Sequence, residues 1–216
     1  MSLATALLAE LDLRGRVVTG DAAFCQRALS EQVVAQGGDY FWVVKENQPT
    51  LLDDLRVLFA DPPPGEVIAA DLRFGRRGDR EEVRLLRCST ALVGYTDWPH
   101  LGSACTIQRV VSRKGKTSYE QQYAVSSLTS GRADAAGLQR FWRGHWQIEN
   151  GLHYVRDVTL GEDGSPIRTG NGPRGMAAVR NVVISTVRRA GHRNVAAALR
   201  TYAGRPREAL ALLGGL

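Results

Sequence analysis

Between residues 138 and 163 the chain carries two tryptophans, two histidines, an arginine and a carboxylate at helical spacing. At about 100° per residue, Trp142, His145, Trp146, Glu149, His153 and Arg156 fall along one line of a helix. Phe141, Ile148, Leu152 and Val155 form a separate stripe, roughly 90° away, suited to anchoring the helix on a core. An ordinary solvent-facing line carries Lys, Glu and Ala. A helix buried on two sides, with packed tryptophans and satisfied histidines, accounts for the same composition. The first chemistry to weigh is metal hydrolysis, because His145, Glu149 and His153 stand at i, i+4 and i+8. Over eight residues a helix rises about 12 Å, so the two imidazoles cannot share one Zn²⁺ at about 2.0 Å. The paired histidines at i and i+4 of zinc hydrolases are absent.

A second acid, Asp21, ends a short apolar strand at residues 16–21. It stands either as the N-cap of the helix expected at 22–36 or as a carboxylate presented at a sheet edge. The surrounding elements decide what such an acid can reach. Residues 3–12 read as the end of a helix and 13–15 as a turn. The helix at 22–36 is stopped by Gly37 and Gly38. Residues 40–45 form a strand of aromatic and β-branched residues, and a helix follows from about 50 to 60. This β-α-β-α order, with strands apolar on both faces, predicts a mixed or parallel sheet flanked by helices.

Asp61-Pro62-Pro63-Pro64-Gly65 interrupts the pattern. Strands are expected at about 66–74, 80–89, 104–113 and 117–128, the last two joined as a hairpin by Lys114-Gly115. The stretch 62–130 is thus a β-rich insertion between an α/β part (1–61) and a helical part (131–216). In the helical part a loop at 161–175 follows the long helix, and further helices lie at about 176–190, 194–203 and 206–213. Two main strands cannot bury both faces of a core. Either the insertion supplies the rest or an N-terminal portion is missing, and the second is the expectation.

The 216 residues are 44% hydrophobic and 23% charged, which suits one or two globular domains. No apolar run approaches the roughly 20 residues of a membrane span, and the N-terminus lacks the pattern of a signal peptide. A cytoplasmic, nucleoid-associated protein is expected. Cys25, Cys88 and Cys105 are odd in number and widely spaced, as reduced, mostly buried thiols would be. Residues 1–130 hold 15 Lys+Arg against 16 Asp+Glu, whereas residues 131–216 hold 13 Arg against 6 acids. Codon bias explains arginine over lysine but not this asymmetry. Arginine suits bidentate phosphate contacts, so nucleic acid is the expected partner.

Three segments together resemble one family, the DDE transposases of bacterial insertion sequences, of the ISAs type. They are residues 18–23 (VTGDAA) with Gln26, residues 38–51 (GDYFWVVKENQPTL), and residues 143–158 (RGHWQIENGLHYVRDV) with Glu162 and Asp163. The last is the most specific. Weaker agreement lies in residues 80–84, 123–128 and 179–183. The resemblance implies an α/β class: a partial ribonuclease-H-like catalytic domain with a β-rich insertion and a helical C-terminus. It also implies three acids binding two Mg²⁺ ions, with Mn²⁺ as a substitute. Asp21 matches the second acid and Glu149 the third. The first, in an Asp-Gly-Lys context, would lie before residue 1. Asp163-Gly164 follows Glu149 and is in the wrong order to replace it.

Strand cleavage and joining in that family are in-line displacements at phosphorus, assisted by two metals. Two carboxylates hold two dications poorly, so this chain is expected to lack activity on its own. The resemblance places Lys45, Asn47 and Gln48 at the same sheet edge as Asp21, in reach of a DNA backbone. It places Arg143, His145, Asn150 and His153 around Glu149, binding phosphates or orienting the carboxylate. Glu46 replaces a small residue, and Tyr154 and Arg156 depart from the usual Trp and Leu, Arg156 adding a phosphate contact. The expected partner is double-stranded DNA, transposon ends and target, held by a homodimer. DNA transposition by metal-dependent phosphoryl transfer is the main reading; a non-catalytic DNA-binding or remnant fragment is its alternative.

Overall fold

A computed structural model describes residues 3–214, the side chains of residues 3, 146–150 and 213 excepted. The chain forms two compact units, Met1–His145 and Trp146–Leu216.

The first unit is built on a six-stranded sheet. Its strands are β1 (Val17–Gly20), β2 (Asp39–Val44), β3 (Ala69–Arg77), β4 (Arg80–Ser89), β5 (Ser103–Arg113) and β6 (Lys116–Ser126), in the order β1-β2-β6-β5-β4-β3. β1 and β2 run parallel; all other neighbours are antiparallel. The mixed sheet agrees with the sequence reading. The four strands of the β-rich stretch join that same sheet, because Trp42 pairs with Val125 and Val44 with Tyr123. The surface needed to bury both faces of β2 therefore comes from within this chain.

All six residues of β2 are buried, and their alternation divides two cores. Tyr40, Trp42 and Val44 face α1 (Leu3–Ala9), α2 (Arg27–Ala35) and α3 (Pro49–Ala60). Phe41 faces α4 (Ala135–Ile148) on the opposite side, with Leu86, Cys105, Ile107 and Ala124. In α3, Pro49 opens the first turn, and Leu51, Leu52, Leu55, Leu58 and Phe59 carry the buried stripe. Gly37, at φ 78°, ends α2 in the left-handed region, and the N–H groups of Gly37 and Gly38 return to the carbonyls of Val34 and Val33.

Several boundaries differ from expectation. The first insertion strand begins at Ala69 and runs to Arg77. The helix expected at 22–36 is broken: a 3-10 turn covers Ala22–Phe24, and α2 starts only at Arg27. The long helix expected from 138 begins earlier, at Ala135. It then loses α geometry, with π-helical turns at Glu149–His153 and Val155–Thr159. A π turn closes hydrogen bonds to i+5, so residues beyond Ile148 no longer keep the 100° step that aligned the six residues.

The second unit contains those π turns and the helices α5 (Gly172–Arg189), α6 (Val195–Ala203) and α7 (Pro206–Leu213). α5 begins inside the segment expected to be a loop, with Pro173 in its first turn. Ile184, Val187, Val195 and Ala198 form its core, with Leu152, Val155, Leu160, Leu199 and Tyr202 packed against them. Asn194 caps α6 by accepting the Ala197 N–H at 3.0 Å.

Candidate nucleic-acid and acid site

Asp21 stands where β1 ends, and its side chain is exposed. Its Oδ1 accepts the N–H of Ala23 at 3.0 Å, so it caps the 3-10 turn rather than the long helix first expected. Gly20, just before it, is a steric requirement. A Cβ there would lie 2.7 Å from Cβ of Phe24 and 2.8 Å from the Trp42 ring. That ring is fixed in turn: it stacks on Tyr40 at 5.6 Å, and its Nε1 donates to Ser30 Oγ at 3.0 Å. The Tyr40 hydroxyl donates to the Pro99 carbonyl at 2.7 Å.

Asn47 and Gln48 come to the Asp21 turn across the top of β2. Asn47 Nδ2 donates to the Ala22 carbonyl at 2.6 Å, and Gln48 Nε2 to the Cys25 carbonyl at 2.9 Å. Their amides hold the turn that presents Asp21. Lys45 and Glu46 are exposed beside them. This grouping unites Asp21, Lys45, Asn47 and Gln48 at the carboxyl ends of two parallel strands, the edge at which open α/β sheets bind ligands.

On α4, Trp142 is a core residue, 2% exposed and edge-on to Phe41 at 5.5 Å. The core alternative for it is the one realised, because α4 packs directly on the sheet through Leu138 and Trp142. Arg143 is exposed and His145 half-buried at the end of the same unit. The side chains of Trp146, Glu149 and Asn150 lie outside the described residues. In the second unit, His153 is exposed, whereas Arg156 is engaged. Its guanidinium forks onto Glu162, at 2.6 Å from Nε and 2.5 Å from Nη2. The Arg156 hydrogen bond holds the Glu162 carboxyl below the usual glutamate range. The phosphate contact expected of Arg156 thus competes with an internal carboxylate.

Sequence reasoning missed a charged network on the sheet. Glu82 of β4 lies 2.6 Å from Arg84, 2.5 Å from Arg109 and 3.3 Å from Arg80, and Arg109 also reaches Glu120 at 3.2 Å. The alternation Arg80, Glu82, Arg84 at strand spacing was its available signal, but the Arg109 contribution needs the strand register.

The three cysteines are free and buried, as expected. Burial pushes the Cys25 thiol up to about 12 and raises Cys88 and Cys105 as well. Among the described residues, no group of three or more His, Cys, Asp or Glu is placed to hold a metal ion. No helix among them is long and apolar enough to cross a membrane.

An open α/β sheet with an acid at the end of β1, followed by helices rich in arginine, is the setting in which the comparisons with known proteins fall. The description "Transposase DDE domain" matches residues 1–185, and the chain belongs to that DDE transposase family. Two Escherichia coli K12 proteins, YbfL and the H repeat-associated protein YhhI, are each 30% identical over 189 residues, covering 83% of this chain and 49% of the relative. YncI of Escherichia coli O157:H7 is 27% identical over 191 residues, covering 84% of this chain and 48% of its own. The chain thus spans about half the length of these curated relatives. Among solved structures, the sugar N-methyltransferase KedS8 from Streptoalloteichus aligns at a TM-score of only 0.25 and 12% identity, over 60% of this chain and 46% of that one.

Proposed function

We propose that this chain is a DNA-binding portion of an ISAs-type DDE transposase and that, by itself, it holds duplex DNA without cutting it. The observation that carries this reading is the arginine distribution within a DDE-family chain. Residues 164–216 contain nine Arg and a single acid, Glu208. Of these, Arg168, Arg174, Arg188, Arg189, Arg193, Arg200, Arg205 and Arg207 are exposed. Such a surface supplies sequence-independent phosphate contacts and a steep dependence on salt. In this reading, residues 1–61 carry the second acid on a ribonuclease-H-like α/β part, 62–130 are the insertion, and 131–216 bring the third acid. Lys45, Arg143, His145, Asn150 and His153 lie along the DNA backbone. A homodimer pairs two transposon ends.

A second reading, metal-dependent strand cleavage and joining, is favoured by the place of Asp21 at the carboxyl end of β1. Its exposed carboxylate is a hard oxygen donor of the kind Mg²⁺ or Mn²⁺ takes, but one such group does not make a two-ion site. Asp21 and Glu149 would hold the ions together with an acid from the part of the relatives that this chain does not match. When bound, the ions would activate the attacking oxygen and stabilise the leaving one.

The test is duplex binding followed over a salt series, run beside nicking of supercoiled plasmid with Mg²⁺ and with Mn²⁺. Steep salt dependence without nicking is the expected result. Mn²⁺-dependent nicking that Glu149→Gln abolishes would establish the catalytic reading instead. An affinity that stays flat between low and high salt removes the DNA reading.

A further inference from the structure

The face of the sheet covered by α4 changes character abruptly along the strands. The last covered row contains Leu86 and Ile107, and Gln139 of α4 donates to the Asp71 carbonyl in that row at 3.0 Å. Two residues further out on the same face, the register aligns Arg73, Arg84, Arg109 and Glu120 across four strands. The next row is Gly75, Glu82, Val111 and Ser118. The row after that is Arg77, Arg80, Arg113 and Lys116, four cations side by side.

Like charges directly opposite on neighbouring strands destabilise a sheet. These rows hold seven cations and two carboxylates. Asp71 offsets Arg73 at 2.8 Å and Asp79 lies 3.7 Å from Arg113, which still leaves cations in excess. Arg80 Nε is buried without a hydrogen-bond partner. Burial lowers the Arg84 guanidinium below its ordinary value, and the charges of Arg143 and Arg109 push the same way against Glu82. Glu82 organises the guanidinium groups but cannot neutralise them. An external anion would complete the array.

The array also has a definite place. β2 ends at Val44, opposite Tyr123, and the Arg109–Glu120 row lies three residues before Tyr123 on the antiparallel β6, about 10 Å further along in the direction of β2. The cations therefore lie beyond the carboxyl ends of β1 and β2, at the end of the sheet where Asp21 stands. Across four strands each row is about 14 Å wide, so it can meet several phosphates of one backbone.

We propose that this face of β3–β6 is a docking surface for the phosphodiester backbone of duplex DNA, with Arg77, Arg80, Arg84, Arg109, Arg113 and Lys116 as its phosphate contacts. The proposal rests on the DNA-binding reading above and places that contact on the insertion strands, apart from the C-terminal arginines.

The experiment measures affinity of the full chain for a duplex of arbitrary sequence against salt. It compares the wild type with Arg77→Gln/Lys116→Gln and Arg84→Gln/Arg109→Gln. Each sheet pair is expected to lower the slope of log K against log salt by about 1.8, since each neutralised phosphate contributes about 0.9. Arg77 and Lys116 are exposed at strand ends, so their double variant reports on binding even if the Glu82 network variant unfolds. Wild-type slope and affinity in Arg77→Gln/Lys116→Gln, with the parent protein binding normally, would overturn the sheet surface and leave the DNA reading standing. A parent protein that fails to bind at low salt would remove both.

Discussion

The side-chain amide of Asn47 donates to the main-chain carbonyl of Ala22 at 2.6 Å, joining the loop after β2 to the turn after β1. Gln48 repeats the arrangement on Cys25, and Gln26 Nε2 reaches the Ala23 carbonyl at 2.9 Å. The conformation of the Asp21 turn is thus imposed from residues some two dozen positions later, as parallel strands require. Asn47→Ala should cost about 1 kcal/mol, the net worth of one such bond, and loosen residues 22–25 selectively. Urea unfolding with amide exchange at those residues checks it. Unchanged exchange there would mean the turn stands without the clamp.

Gly20→Ala is expected to destabilise by about 1–3 kcal/mol, the usual cost of forcing a methyl into a packed core. The added Cβ would meet Phe24 at 2.7 Å and the Trp42 ring at 2.8 Å. Because Trp42 is anchored by Tyr40 and Ser30, the strain should fall on the backbone leading to Asp21. Tryptophan-fluorescence denaturation reads the cost; a midpoint equal to that of the parent would refute it.

Asp39 opens β2 with its side chain 5% exposed, held by Arg132 at 2.6 Å and by Ser127 Oγ at 2.9 Å. Arg132→Ala leaves that charge short of its partner and should cost about 2 kcal/mol. Arg132→Lys should recover only part of it, because a single ammonium cannot reproduce the two guanidinium contacts. Equal stability of the alanine and lysine variants would contradict this account.

Glu82 supplies a pH dependence. Burial works to raise its carboxyl pKa, but the Arg109 hydrogen bond and the charges of Arg84, Arg109 and Arg80 outweigh it and hold it below the ordinary 4.5. A depressed folded pKa contributes stability that is present above the unfolded value and lost as pH falls through the folded one. The stability gap between the parent and Glu82→Gln should therefore hold near neutrality and close progressively below about pH 4.5. Chemical denaturation at a series of pH values tests the sign, and a gap that widened in acid would reverse it.

The cysteines offer a probe of the first unit. With Cys25 pushed up to about 12, its thiolate is scarce at pH 8, and Cys88 and Cys105 are shifted the same way. Since alkylation requires thiolate and access, native protein should react slowly at all three and denatured protein fully at all three. Mass spectrometry after timed iodoacetamide treatment gives the answer; rapid labelling of any one would place it outside the packed core.

Local chemistry made some elements legible in the sequence alone. The apolar run of β2, the stripe of α3 and the Lys114-Gly115 turn each depend on neighbours a few residues apart. That turn has φ of 49° and 74° at its two central residues, as a tight hairpin requires. The specific 143–158 segment carried the family, and the position of Asp21 at the end of a strand was also readable. Tertiary structure alone decided the rest. Trp142 sits in the core because α4 lies on Phe41 and Leu86, a contact between segments about a hundred and about fifty residues apart. The tether of Asn47 to the Asp21 turn exists only because β1 and β2 are adjacent and parallel. The cation rows follow from strand register, which brings Arg84 opposite both Arg73 and Arg109. Periodicity is written residue by residue, whereas register and packing are settled by which distant surfaces bury each other best.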